Sequence, residues 1–212
     1  MKTKKILSIL SVILVTVAAQ AMAQSNIFTD PITFKLKNGA AVAVAENKYT
    51  AKVYSGITFD VDTALSAKTG CQELIVIILN ESAVETQAGL SFNEKGGNIN
   101  TSVAGYDYAL NSLKNILIDL VISPQQFANA QTELVESING RHKYYPKEFT
   151  EEMINEIKLS DLQEYIKANF VPTKCHLTIV GNISPAEAKK MVKKAFGNWA
   201  TETEISRNRT SR

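Results

Sequence analysis

The stretch IKLSDLQEYIKANFVPTKCHLTIVGNISPAEAKKMVKKAFGNW, residues 157–199, spells out helix, strand, helix in its punctuation. Ser160 with Gln163 predicts a capped helix start, and Leu162, Tyr165 and Ile166 follow at helical spacing. Leu177 to Val180 is short and apolar, as a buried strand should be. Ser184-Pro185 with Glu187 combines a capping box with proline at the first helical position, which predicts a last helix running to Gly197. From Ala200 the chain is polar apart from Ile205, and residues 200–212 read as a tail or linker.

Working outward, Ile32, Phe34 and Leu36 alternate with Thr33 and Lys35, Asn38-Gly39 offers the two positive-φ positions of a type I′ turn, and Val42 and Val44 return. A third strand is expected from Ala51 to Val61, closed by Asp60 and Asp62. Thr69 to Leu79 is too long and too continuously apolar for an ordinary strand and is taken as a buried helix. A second helix is expected after Ser82 to about Asn93, stopped by Gly96-Gly97, with a strand or hairpin from Asn98 to Tyr108. Leu113, Leu117, Ile118 and Val121 place a helix over 110–121, and Ser123-Pro124 with Gln126 starts another that ends at Asn139-Gly140. Residues 141–149 are polar and turn-like.

The amino terminus has export chemistry. Lys2, Lys4 and Lys5 precede an almost unbroken apolar run from Ile6 to Ala19, and Ala21-Met22-Ala23 is an A-x-A cleavage site. Residues 1–23 are therefore expected to be a signal peptide and 24–30 a short extension. The apolar run falls short of the roughly 20 residues of a spanning helix, so stable membrane insertion is not expected. Losing three lysines takes Lys+Arg from 23 to 20 against 21 Asp+Glu, so the nominal +2 becomes −1 and gives no case for nucleic-acid binding. Cys71 and Cys175 are compatible with one disulfide in an oxidising compartment or with two small buried residues.

The carboxy-terminal block resembles the end of a half-domain of the pitrilysin or insulinase family of zinc metallopeptidases, with its "y-x-P" turn, its strand ending in "vvGd" and its final "FG-x-W". The hairpin FKLKNGAAVAVAEN is similar to that family's opening "LxNGlxVxvxx", and EKGGNINTSVAG to its glycine pair and following strand. The resemblance covers residues 32–199 and implies an α+β fold, a mostly antiparallel sheet covered by helices, as in an insulinase or mitochondrial-processing-peptidase half-domain spanning 31–199.

Family peptidases carry H-x-x-E-H on the helix after the third strand, two histidines holding zinc and the glutamate acting as general base. This chain has two histidines, His142 and His176, too far apart for any helical pair. Aligning the motif from Gly70 puts Glu73 and Ile77 at the histidines and Val76 at the base, and the later metal-binding glutamate falls on Ser137, beside Glu136. Such a site offers at best two carboxylates, Glu73 and Glu136, where catalytic zinc needs three protein ligands and an open position. Burial of Val76 and Ile77 is expected to turn a polar pocket wall into core, contributing about 1.5–3 kcal/mol each. No G-x-S-x-G, G-x-x-x-x-G-K-[ST] or C-x-x-C is present. His142 and the Tyr144-Tyr145-Pro146 cluster read as loop residues, and His176 as a surface or hydrogen-bonded strand residue. No catalytic, cofactor-binding or metal-binding residue is therefore assigned.

What the resemblance implies is an exported, periplasmic or secreted, non-catalytic homologue that acts as a binding or accessory subunit. Its partner would be a second insulinase-like chain, a zinc-bearing subunit or itself, with peptides as a further ligand class, because family members fold related halves around a chamber. The alternatives are a residual metallopeptidase with an incomplete zinc site and a self-associating binding domain.

Overall fold

The computed structural model describes residues 28–61, 68–140 and 150–200. The signal peptide, His142, the Tyr144-Tyr145-Pro146 cluster and residues 201–212 of the tail lie outside them. The hairpin forms where the alternation puts it: β1 (Ile32–Lys35) pairs antiparallel with β2 (Ala41–Glu46), Phe34 opposite Val42. Its turn is not type I′. Gly39 takes φ 97° but Asn38 does not take a positive φ. Gly39 N bonds Leu36 O at 3.0 Å and Leu36 N bonds Ala40 O at 2.9 Å, a three-residue loop closed by a left-handed glycine. The reason is the asparagine side chain, which turns inward and is used elsewhere.

Strand β3 (Lys52–Phe59) is followed by α1 (Cys71–Thr86), which starts from Gly70 at φ 101°. The helix expected separately after Ser82 is the end of α1, and it does not reach Asn93. Gln87, at φ 52°, terminates it, and Leu90–Asn93 is strand β4, paired with β5 (Gly96–Ser102). Gly96-Gly97 thus opens a strand rather than stopping a helix. Gly96 sits at φ 141°, and a Cβ there would lie 1.9 Å from Ile57 O, so the pair lets β5 lie close against β3. Tyr106 to Tyr108, expected to be extended, opens α2 (Tyr106–Ile118).

Helix α3 (Pro124–Gly140) begins as its capping signal requires, with Ser123 Oγ accepting from Gln126 N and Gln126 Oε1 from Ser123 N, both at 3.1 Å. A short α4 (Glu151–Asn155), not foreseen, is capped by Thr150. Helix α5 (Leu159–Asn169) starts earlier than Ser160: Lys158 is the cap position and Asp161 Oδ2 accepts its N–H at 2.7 Å, so Asp161 does the work assigned to Gln163. Strand β6 (Cys175–Gly181) and α6 (Pro185–Phe196) follow, the latter with the expected Ser184–Glu187 box.

The six strands form one sheet in the order β1-β2-β6-β3-β5-β4, antiparallel except for β2 beside β6, so the fold is α+β with a mostly antiparallel sheet. Val44, Ile57, Ile99, Leu177 and Ile179 project from one face into a core shared with Leu74, Ile78, Leu110, Leu113 and Leu162 of the helices. The other face presents Lys52, Tyr54, Thr58, Asn98 and His176 to solvent. No described helix is long and apolar enough to cross a membrane.

Candidate functional site

The position to test is the start of α1. Glu73, Val76 and Ile77, at helical spacings of three and four, share one half-buried flank, while Leu74, Ile75, Ile78 and Leu79 on the other side are buried. Contrary to the expectation from sequence, Val76 and Ile77 are only half-buried and do not become full core. Val76 lines a small void and Ile77 packs against the core from its margin. Their contribution is correspondingly less than that of fully buried side chains.

Helix α1 is docked on the β4–β5 hairpin by polar side chains. Asn80 Oδ1 accepts from Phe92 N at 2.8 Å, Asn80 Nδ2 donates to Phe92 O at 2.9 Å, and Gln72 Nε2 donates to Glu94 O. Beside them Phe59, Val76, Phe92, Leu117, Tyr165 and Phe170 line a small, partly open cleft that Gln72, Asn93 and Glu94 also border. The contribution of α5 was missed from sequence: Phe170 stacks on Phe59 with ring centroids 4.8 Å apart, and Tyr165 closes the same cleft. The signal was the helical spacing of Leu162, Tyr165 and Ile166, but nothing in it says that α5 folds onto β3.

The residues present do not fit a zinc ion. At the four family positions stand a carboxylate, two hydrocarbons and Ser137, whose hydroxyl donates to Leu134 O at 2.8 Å. Glu136 is exposed on α3. Among the described residues no three His, Cys, Asp or Glu side chains gather where they would hold a metal ion. His176 is far along the chain on β6, exposed, with Nε2 2.8 Å from Asp60 Oδ2. Lys68 Nζ bonds Asp161 Oδ2 and Glu156 O, both at 2.9 Å, and ties the approach to α1 to the start of α5.

Neither cysteine is an activated nucleophile. Cys71 and Cys175 are free and buried, which resolves the cysteine alternatives as two buried thiols. Burial, and after it the Asp161 carboxylate, push the Cys71 thiol up to about 11, and burial alone pushes Cys175 up to about 12. Both stay protonated near neutrality, unlike a reactive cysteine. Burial, then the Glu73 charge, also raises the Tyr165 phenol.

Residues 156–211 match the family model described as the peptidase M16 inactive domain. A protease from Helicobacter pylori superposes with TM-score 0.73 at 14% identity over 82% of this chain and 52% of its own. The chain carries the fold of an M16 peptidase half-domain. M16 is the pitrilysin/insulinase-like family that the sequence resembles. A peptidase M16 inactive domain from Pseudomonas fluorescens gives TM-score 0.66 at 14% identity, over 79% of this chain and 50% of its own. The first half of the periplasmic protease PqqL from Escherichia coli gives 0.67 at 8% identity, over 80% and 46%. No curated protein matches in sequence. The chain thus spans about half the length of these three solved structures.

Proposed function

We propose that this chain is an exported, non-catalytic M16-type half-domain that serves as a binding or accessory subunit beside a second M16-like chain carrying the zinc machinery. The observation that carries the reading is the chemistry at the start of α1, where Glu73, Val76 and Ile77 occupy one flank in place of ligands and base. The M16 inactive-domain match supports it from sequence. The share of the solved structures that this fold covers supports a second half as the partner. Export is argued from the basic, apolar and A-x-A regions of residues 1–23.

The test is affinity purification of the tagged full-length chain from its native envelope, followed by mass spectrometry. Near-equal recovery of a chain bearing H-x-x-E-H is expected. Recovery alone, or with chaperones only, overturns the subunit reading.

A further inference from the structure

Unpaired backbone, exposed hydrocarbon and positive charge coincide on the outer edge of β1. Leu36 N bonds Ala40 O, and the pairs Phe34–Val42 and Ile32–Val44 continue that register, so the even-numbered residues bond to β2. Thr33 and Lys35 therefore direct their amides and carbonyls outward, and among the described residues no strand pairs with them. Ile32 is 52% exposed, and Phe28, just ahead of the strand, 49%.

Lysines flank both sides of this edge. Lys189 Nζ lies 5.2 Å from the centre of the Phe34 ring, which places the β1-facing flank of α6, and Lys193, one turn on, shares that flank. On the opposite side of the strand Lys35 is exposed. Lys194, by contrast, is turned away and paired with Asp107 at 3.0 Å. Of the hairpin's own carboxylates, Glu46 already faces Lys48 at 3.9 Å, and Asp30 precedes the strand.

We propose that the β1 edge accepts an extended, acidic segment of a partner protein as a seventh strand. Its backbone bonds Thr33 and Lys35, and its carboxylates meet Lys35, Lys189 and Lys193. Lysines alone would blunt an edge; with Ile32 and Phe28 exposed beside them they select among partners instead. A second copy is the poorer occupant, because two-fold pairing of β1 with itself sets like charges opposite each other. The edge lies at the far end of the sheet from β4 and the α1 cleft, so the inference does not rest on the subunit reading.

The test uses the full chain and two labelled heptapeptides, one carrying adjacent glutamate pairs separated by valine and one carrying lysine at the same positions, so that charge reaches both faces of the added strand, read by fluorescence anisotropy. The acidic peptide is expected to bind and the basic one not. Lys189→Glu with Lys193→Glu weakens binding about fivefold or more. Thr33→Pro, which removes an outward N–H that an edge strand tolerates losing, also weakens it while far-UV dichroism is unchanged. Lys167→Glu on α5 leaves it intact. Equal binding of both peptides, indifference to the β1 and α6 variants, or a dimer in sedimentation that Thr33→Pro disperses overturns the proposal. So does lysine-dependent binding to phosphatidylglycerol vesicles that Thr33→Pro leaves unchanged.

Discussion

The side-chain amide of Asn38 donates from Nδ2 to the carbonyls of Phe196, at 2.8 Å, and Trp199, at 3.1 Å, fastening the first hairpin's turn to the end of α6. Its Oδ1 meanwhile accepts from Ala40 N at 3.3 Å, so one side chain shapes the turn and holds it in place. Asn38→Ala removes the amide from the Trp199 carbonyl and leaves the Phe196 carbonyl with the Trp199 N–H alone, and is expected to cost about 1–3 kcal/mol in urea unfolding. A loss below about 0.5 kcal/mol, the size of an ordinary surface substitution, would mean that water substitutes for the amide.

Ser55 on β3 and Tyr106 on α2 form a buried polar contact between sheet and helices. Tyr106 is fully buried, its hydroxyl 2.7 Å from Ser55 Oγ, and burial raises its phenol well above the usual range despite that bond. Tyr106→Phe and Ser55→Ala each orphan a buried hydroxyl, at about 1–3 kcal/mol. The double variant loses both partners together and is expected to cost less than the two singles summed, by about 0.5 kcal/mol or more. Strict additivity in a denaturation cycle would show the pair to be uncoupled.

Elements whose ends are written in side chains were the ones readable in sequence. Ser123 with Gln126 and Ser184 with Glu187 make the bonds their spacing promises. Residues 87–93 misled because apolar Leu90 and Phe92 continue a helical run, whereas the break is made by Gln87 in a left-handed conformation and by Gly89 at φ 70°. A four-residue strand gains its pairing from β5, which no local pattern announces. The same holds for β6, which enters the sheet between β2 and β3 after more than a hundred intervening residues. At the candidate site the residue types were legible. What was not legible was that the Glu73–Val76–Ile77 flank stays half-buried and that α5 brings Phe170 onto Phe59.

Gly96 is the glycine whose replacement should hurt most directly. At φ 141° an L side chain is strained, and its Cβ would meet backbone, Ile57 O at 1.9 Å, which cannot rotate away. Gly96→Ala is expected to destabilise by more than about 2 kcal/mol and to loosen the β4–β5 hairpin in hydrogen exchange. Gly140→Ala, with nothing within 4 Å of its Cβ, is the control and should be near neutral or stabilising. Equal effects would contradict the close approach of β5 to β3.

Stability should fall at both ends of the pH scale for different reasons. The hydrogen bond from Lys68, then that from Lys158 N–H, hold the Asp161 carboxyl below its usual 3.8, so its contribution is present above that pH and fades as pH drops further. Cys71 and Cys175 are raised from 9.0 to about 11 and about 12, so the folded state binds their protons more tightly than the unfolded chain does. That contribution is complete below pH 9.0 and is lost as pH rises from there through about 11 and 12. Urea midpoints should decline over this alkaline range, less steeply in Cys175→Ala. A thiol reagent at pH 8 should label neither cysteine until denaturant is added, and rapid labelling of the native chain would contradict their burial.

Zinc should not be retained. A catalytic site needs three protein ligands and an open position, so the purified chain should keep less than about a tenth of an equivalent after dialysis. Glu73→His with Ile77→His places two imidazoles four residues apart on the half-buried flank of α1, and that pair, unlike either single change, should bind zinc measurably in calorimetry. If α3 presents residue 137 to this flank, adding Ser137→Glu supplies a third ligand and tightens binding about tenfold or more. Failure of Ser137→Glu to tighten the histidine pair would show that the motif positions on α1 and α3 do not converge. One equivalent of zinc retained by the unaltered chain would overturn the non-catalytic reading itself.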